Sequence, residues 1–587
     1  MMGSTSKDSL KREGFMITLG INSAYHESSA ALVVDGRVVA AAEEERFNRV
    51  KHGKPARVDN AHQPPSAAIA FCLESTGVSA AQLDAVAYSF DPRLRQRTFQ
   101  ADPLSKPGDW GTPAGEEVFQ ASLARVPAEL SKLLDRDVSS CLQWVPHHMA
   151  HAASAYYPSG FDEAAVLVVD GIGEQATTLL AVGRKGRIDH LRHLDHPHSL
   201  GFLWEKLSKY LGFSEYDACK VMGLAGYGNP SEFAERFGAF VTVEGGGFRL
   251  RPEVLEFRLD TFEALERVLG PRRDARGPLT QAHKDIAAAL QEQTNNALLA
   301  LVEELYRLAP VDALCLAGGV ALNCTSNWLV KEKGPFKEVY IPSAPHDAGT
   351  AVGAALLVHH QRGGVTQGPV MPTPYMGPRY SDEDIARLFA AEGVHATRSE
   401  DIAADVAALI AKGCIVGWFQ GAMEFGPRAL GNRSLLADPR SPEIRELMNV
   451  KVKHRETFRP FAPSVLAERS AEWFELGRPS ASLGAMLFAC PVRPGQQARI
   501  PAVLHIDGTA RVQVVRREEN SLYHDLISHF ERLTGVPIVL NTSFNDSEPI
   551  VCSPRDALAT FRSTRIDALA MGSYLLMRPR ETGREPL

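Results

Sequence analysis

No uninterrupted apolar stretch of about 18 residues occurs in the 587-residue chain, so no membrane-spanning helix is expected. Cysteine is sparse and scattered: eight residues at 72, 141, 219, 315, 324, 414, 490 and 552, with no C-x-x-C pair. That pattern points to free thiols in a reducing cytosol rather than to a disulfide frame. Long basic runs are also missing. Lys and Arg number 63 against 70 Asp and Glu, a formal net charge of -7. This balance disfavours a nucleic-acid partner and leaves a small cationic one open. The opening "MMGSTSKDSLKREG" lacks the apolar region of a secretory signal. It is expected to be a disordered lead on a cytoplasmic protein.

What is present is ordinary for a globular chain, 44% hydrophobic and 23% charged. The length exceeds what one hydrophobic core can serve, so roughly three to five domains or subdomains are expected. Residues 15–46 read as strand, Gly-containing loop, strand, Asp35-Gly36 turn and strand, since Asp-Gly between apolar runs is a hairpin signal. Residues 164–194 repeat the plan with a Gly-Arg-Lys-Gly turn. Strands followed by helical stretches, around 66–75 and 284–307, make each half α/β, and the two halves read as a duplication. From His360 the chain is dense in Gly and Pro and holds no regular structure. A domain is therefore expected over 15–365 and a second over 379–587.

"VPHHMAHAASAYYPSG", 145–160, places His147 and His151 four residues apart, on one helical face, with His148 roughly 100° away. Two imidazoles with Cβ atoms about 5–6 Å apart suit a divalent metal, but a third or fourth ligand must come from elsewhere. A plain polar helix face is the alternative. Downstream, Asp347 in "IPSAPHDAGTAVGAAL" precedes a small-residue helix, where a carboxylate either caps the helix or reaches a metal. Three strand-to-turn junctions suit a nucleotide: residues 20–31, Asp170 with Gly171 in "VVDGIGE", and Gly318, Gly319, Val320 and Asn323 in "LCLAGGVALNCTSN". In the second domain, "MNVKVKHRETFRPFAPSV" gathers Lys453, Arg455 and Arg459, "GPRALGNRS" adds Arg428 and Arg433, and "LNTSFND" offers Asn541, Thr542, Ser543 and Asn545. Convergent guanidiniums suit phosphate, and hydroxyl and amide groups in a turn suit a ribose or small polar ligand.

The HxxxH pair, the "AGGVALN" turn and "HDAG" resemble the Kae1-like ATPase fold of the actin/sugar-kinase/Hsp70 superfamily. The "KxR" and "NTSxN" elements resemble the YrdC family. A Kae1-like domain followed by a YrdC-like domain is the layout of the NodU-type O-carbamoyltransferases, which "EEERFNRVKHG" and "KVMGLAGYGNP" also resemble. The resemblance implies an α/β fold with a duplicated Kae1-like domain. It implies a divalent metal, Fe(II), on His147, His151 and Asp347, and an AMP moiety on Asp170, Gly171, Lys220, Gly318, Gly319, Val320 and Asn323. ATP, with Mg2+, and carbamoyl phosphate would meet the basic residues of the second domain and give carbamoyladenylate and pyrophosphate. A hydroxyl of a sugar-containing antibiotic, an aminoglycoside such as tobramycin, would then take the carbamoyl group. His26 in "AYHESS" is either its general base or a contact orienting it. Glu27, Glu43 or Asp217 could attract its ammonium groups.

Three other readings use parts of the same pattern. A threonylcarbamoyl-transfer enzyme acting on tRNA needs a basic surface that this composition lacks. A metallopeptidase would carry HExxH, which is absent. A non-enzymatic ATP-binding regulator needs no second phosphate-binding domain.

Overall fold

The structure, a computed structural model, describes residues 15–364, 368–371 and 373–578. Residues 1–14, where the disordered lead is expected, lie outside the described residues. The chain divides into two compact units at Pro372/Thr373, inside the Gly- and Pro-rich linker.

The first unit repeats one sheet. Strands β1 (Ile17–Asn22), β2 (Ser29–Val34), β3 (Arg37–Glu43), β4 (Ala85–Tyr88) and β5 (Leu142–Trp144) are ordered β3-β2-β1-β4-β5. The first three are antiparallel hairpin neighbours, while β4 and β5 continue parallel to β1. The second half has β6 (Glu163–Val169), β7 (Ala176–Arg184) and β8 (Arg187–Asp195). A separate hairpin follows, β9 (Val241–Glu244) with β10 (Gly247–Leu250), and then β11 (Ala313–Ala317) and β12 (Glu338–Tyr340). Its sheet, β12-β11-β6-β7-β8, has the same order and the same parallel and antiparallel pairings. Matching turns cause the matching hairpins. Asp35 and Gly36 have φ of 47° and 73°, and Lys185 and Gly186 have 48° and 75°. Consecutive positive φ values suit the right-handed twist of the flanking strands. The fold is thus the duplicated actin/sugar-kinase/Hsp70-type α/β domain predicted from sequence.

Central strands are buried on both faces, which is why β1 and β6 read as nearly continuous apolar runs. Leu19 and Ile21 join Ile69, Tyr88 and Phe119 in one core. Gly20, pointing the other way, lets the helix Gly349–Gln361 lie against the strand. In each half the fifth strand is followed by a helix, His147–Ser159 in the first and Gly349–Gln361 in the second. These two equivalent helices pack directly on one another. A Cβ at Gly353 would run into the carbonyl of Ala150 and stand 2.7 Å from the Ser154 nitrogen, so only glycine permits the approach. Gly353→Val is therefore expected to cost at least about 1–3 kcal/mol. Thermal melting should show it, and the same variant should lose whatever the two helix starts bind together.

The second unit holds β13 (Thr397–Arg398), β14 (Val416–Phe419), β15 (Arg433–Ala437), β16 (Ala462–Leu466), β17 (Ala489–Pro491), β18 (Thr509–Arg511), β19 (Gln513–Val515), β20 (Ile538–Ser543), β21 (Ala568–Met571) and β22 (Tyr574–Met577). Eight of them form a mixed sheet ordered β13-β22-β21-β14-β15-β20-β16-β19, and β17 pairs with β18. Helices Asp382–Ala391, Ile402–Ala411, Ser521–Thr534 and Pro554–Ser563 accompany it, making a second α/β body. Ser381 caps the first of these through a capping box with Asp384. All eight cysteines are free, and no described helix is long and apolar enough to cross a membrane.

Candidate functional site

The helix His147–Ser159 starts where β5 ends, and its N-terminus is held by Glu174. That carboxylate accepts from the His147 amide at 3.0 Å and from the Asp91 amide at 2.8 Å. His147 and His151 are fully buried. His147 Nδ1 faces the Ser89 carbonyl at 3.2 Å, so donation from Nδ1 leaves Nε2 as a lone-pair donor pointing inward. Asp347 arrives from the second half, just ahead of the helix Gly349–Gln361, which has no side-chain cap. Its carboxylate turns away from the capping role and lies 3.6 Å from His147 Nε2 and 3.4 Å from His151 Nε2.

A fourth member comes from the end of β6. Asp170 Oδ2 is 3.5 Å from His147 Nε2 and 3.8 Å from His151 Nε2. His147, His151, Asp170 and Asp347 form a buried group whose ligand atoms lie within 4.8 Å of one another. Both Nε2 atoms accept no hydrogen bond, an arrangement costly without an occupant. Spacings near 3.4 Å are those of a tetrahedral shell with bonds of about 2.1 Å. The residues fit a divalent metal. Burial disfavours the His147 imidazolium, but the Asp347 and Asp170 charges raise its pKa well above the ordinary range. Burial likewise pushes the Asp347 carboxyl up, and His147 more than reverses it, holding it well below the usual range. His148 lies outside this group, packed at Gly173.

Asp170 also ties the cluster to the Gly318-Gly319 turn. Its Oδ1 accepts from the Gly319 amide at 2.8 Å. Gly318 sits at φ 91°, and a side chain there would strike the Val169 carbonyl, so the turn after β11 crosses tightly over the end of β6. Ser199 donates to the Gly171 carbonyl at 2.7 Å. Val320 is buried in the short helical turn Gly319–Leu322. Asn323 is the N-cap of the helix Cys324–Lys333, accepting from the Ser326 amide at 3.0 Å and donating to Gln291 at 3.0 Å. Lys220 pairs with Asp217 at 3.2 Å and lies over the Phe213 ring.

His26 is in the loop after β1. Asn22 holds that loop by donating to the carbonyls of His26 at 3.1 Å and Glu27 at 2.9 Å. Asn22 accepts from Ser89, which in turn accepts from Thr350, so a buried hydrogen-bond chain links the loop to the helix behind Asp347. His26 Nδ1 makes no hydrogen bond. Sequence reasoning missed Glu174, Ser89 and Asn22, and it placed Asp170 only with the nucleotide. The equivalent β1 and β6 ends, Asn22 and Asp170, were the available signal.

In the second unit, Lys453 Nζ donates to the Ser543 carbonyl at 2.6 Å and to both the carbonyl and Oδ1 of Asn545 at 2.7 Å. Burial first, then the nearby Arg455 and Arg459 charges, push its pKa well below the usual lysine range. Arg455 donates to Asn449 at 2.8 Å and stacks over Phe461 at 4.6 Å. Arg459 lies 3.9 Å from Glu456, Arg428 is half-buried, and Thr542 sits half-exposed near the end of β20. Lys453, Arg455, Arg459, Ser543 and Asn545 are thus brought together. Two residues have inward roles. Arg433 is fully buried and donates to the carbonyls of Gln420, Pro378 and Asn432, with Phe419 against its guanidinium. Asn541 is buried, donating to Gln513 at 2.9 Å and Ser464 at 3.1 Å.

A duplicated α/β domain with a His2Asp2 cluster where its two halves meet is thus followed by a second α/β unit that gathers Lys453, Arg455 and Arg459. The "Carbamoyltransferase N-terminus" family profile matches residues 17–356, and "Carbamoyltransferase C-terminus" matches 407–578. The nodulation protein NolNO of Sinorhizobium fredii is 39% identical, over 95% of this chain and 80% of its own length. NolO of Bradyrhizobium diazoefficiens is 41% identical, over 74% of this chain and 78% of its own. Protein sll1178 of Synechocystis is 38% identical over 97% of both chains. Among solved structures, HypF of T. kodakarensis is similar at a TM-score of 0.33 and 16% identity, over 61% of this chain and 49% of that one. The chain belongs to the NodU-type carbamoyltransferase family and is a carbamoyltransferase.

Proposed function

We propose that the enzyme is an ATP-dependent O-carbamoyltransferase acting on a hydroxyl of a sugar-containing antibiotic, an aminoglycoside such as tobramycin. Carbamoyl phosphate loses its phosphate to water. The resulting carbamate oxygen attacks the α-phosphorus of ATP, releasing pyrophosphate and leaving carbamoyladenylate. The acceptor oxygen then attacks the carbamoyl carbon, AMP leaves, and the hydroxyl proton goes to a base. Balanced, one carbamoyl phosphate, one ATP, one water and one acceptor yield phosphate, pyrophosphate, AMP and the carbamate ester.

The observation that carries this reading is the buried His2Asp2 cluster, which shares Asp170 with the Gly318-Gly319 turn. His147, His151, Asp170 and Asp347 would hold Fe(II), which would supply Lewis-acid polarisation and charge neutralisation beside that turn. The chain's own residues do the rest. Gly318 and Gly319 give close backbone approach to the nucleotide, and Val320 closes the turn. Asn323 caps the helix that leaves the turn, and Gly171 and Lys220 complete the nucleotide contacts on this reading. His26, with a free Nδ1, takes the acceptor proton or orients the acceptor. In the second unit, Arg455, Arg459 and Arg428 neutralise ATP, carried with Mg2+, and carbamoyl phosphate, while Lys453 shapes the same site by tying down the Ser543–Asn545 turn. Thr542, Ser543 and Asn545 line the same ligand, and Arg433 and Asn541 hold the surrounding backbone in place.

Pyrophosphate release from ATP tests this directly. It should require carbamoyl phosphate, and carbamoylated tobramycin should accumulate when that acceptor is added. Release independent of carbamoyl phosphate would refute the proposal.

A further inference from the structure

Two half-buried charged side chains, Glu205 and Arg258, stand next to the end of β6. The helix Leu200–Tyr210 lies directly on that end, since a Cβ at Gly201 would stand 2.7 Å from the Gly171 Cα. Phe202 faces the same glycine, its ring 3.5 Å from where a Gly171 Cβ would be. Glu205 follows one turn on, sharing the face of Gly201 and Phe202, and helical spacing sets the Phe202 and Glu205 Cβ atoms about 5–6 Å apart. The Arg258 guanidinium rests over the Phe202 ring, 4.7 Å from its centroid. Both charges therefore flank one ring that touches the residue after Asp170. They do not pair. Arg258 Nε is buried without a hydrogen bond, and no described residue hydrogen-bonds or ion-pairs with either charged group. The other charges nearby are engaged: Lys209 by Asp260 at 3.0 Å, Asp102 by His196 at 3.2 Å, and Arg95 by Glu116 at 2.7 Å. Burial pushes the Glu205 carboxyl up to about 7, against the opposing charges of Arg258 and Lys209. Groups left unmet in this way are costly unless a ligand meets them.

We infer that Glu205 and Arg258 hold the carbamoyl group itself, the carboxylate accepting its N–H and the guanidinium donating to its carbonyl oxygen. This inference deepens the proposed function and rests on it. An ammonium placed between the two would be repelled by Arg258, and an anion by Glu205. A planar neutral amide, with donors on nitrogen and an acceptor oxygen, offers each its complement. The pair thereby selects the group that is transferred. A site built to bond an N–H discriminates strongly against an analogue without one, because its own polar group is then left unpaired.

The test follows transfer by the full chain from supplied carbamoyladenylate, with acetyladenylate as a competitor. An acetyl group keeps the size and the carbonyl oxygen but has a methyl in place of the NH2. In the wild type, the inhibition constant of acetyladenylate should exceed the KM for carbamoyladenylate at least about tenfold. Glu205→Leu should raise that KM at least about tenfold and leave acetyladenylate inhibition unchanged, because only the carbamoyl group loses a bond. Arg258→Ala should weaken both ligands, since both present the oxygen, and Arg258→Lys should recover part of the loss. If Glu205 acted as a base, its replacement would lower kcat alone; if it were merely structural, both ligands would weaken together. Either result overturns the inference. If Glu205→Leu does not fold, Arg258→Ala carries the test, and an unchanged KM with unchanged inhibition overturns it. Carbamoyl-phosphate-dependent pyrophosphate release by the wild type is recorded alongside. Its absence refutes the enzymatic reading, whereas equal recognition of the two adenylates refutes only this inference.

Discussion

Replacing Asp347 by alanine is expected to abolish carbamoyl transfer, by more than about 100-fold, since even outer-shell metal partners are worth 10–100-fold. Pyrophosphate release from ATP and carbamoyl phosphate should continue. The physical reason is the closure of the cluster. Asp347 faces both Nε2 atoms, at 3.6 and 3.4 Å, and it alone brings the second helix's start into the site. Without it, two buried imidazoles and Asp170 remain, with one carboxylate fewer to neutralise a dication. His147→Ala should behave alike. Metal content by elemental analysis and the two half-reactions, assayed separately, check the result. If bound metal and transfer both survive in Asp347→Ala, the four residues are not a metal centre.

The complementary expectation concerns Arg455→Ala. Carbamoyladenylate formation should fall by about 10²–10³-fold, the scale of losing one charge-stabilising donor, while transfer from supplied carbamoyladenylate persists. Arg455 is anchored by Asn449 on one side and by the Phe461 ring on the other, which fixes the guanidinium. Arg455→Lys should rescue poorly, because an ammonium retains the charge but not the planar fork. Should Asp347→Ala and Arg455→Ala stop the same half-reaction, the division of labour between the two units would be wrong.

Much of this was legible early, and the exceptions follow a pattern. The hairpins at Asp35-Gly36 and Lys185-Gly186 were readable because turn chemistry is local. The His147/His151 pair was readable because helical period places i and i+4 together. Asp347 could be named from sequence but not assigned, since capping and metal binding both ask for a carboxylate before a helix. Arg433 and Asn541 show the opposite case. Their residue types suggest ligand contacts, whereas the structure buries both and engages the Arg433 Nη atoms and the Asn541 amide nitrogen within the protein. Burial on a central strand is not encoded in the few residues around an arginine.

By itself, then, the chain's order of residues determined its local grammar: which segments are strands, where they turn back, that the pattern occurs twice, and that two imidazoles share a helical face. Tertiary structure decided the site. Gly353 lets the two equivalent helices touch, and Gly318 lets the β11 turn cross the end of β6. Only through those approaches does Asp170 meet both histidines and the amide of Gly319, 149 residues away. Periodicity and turn preference act over a few residues, but a coordination shell depends on distances of a few ångströms between distant segments, which packing alone sets.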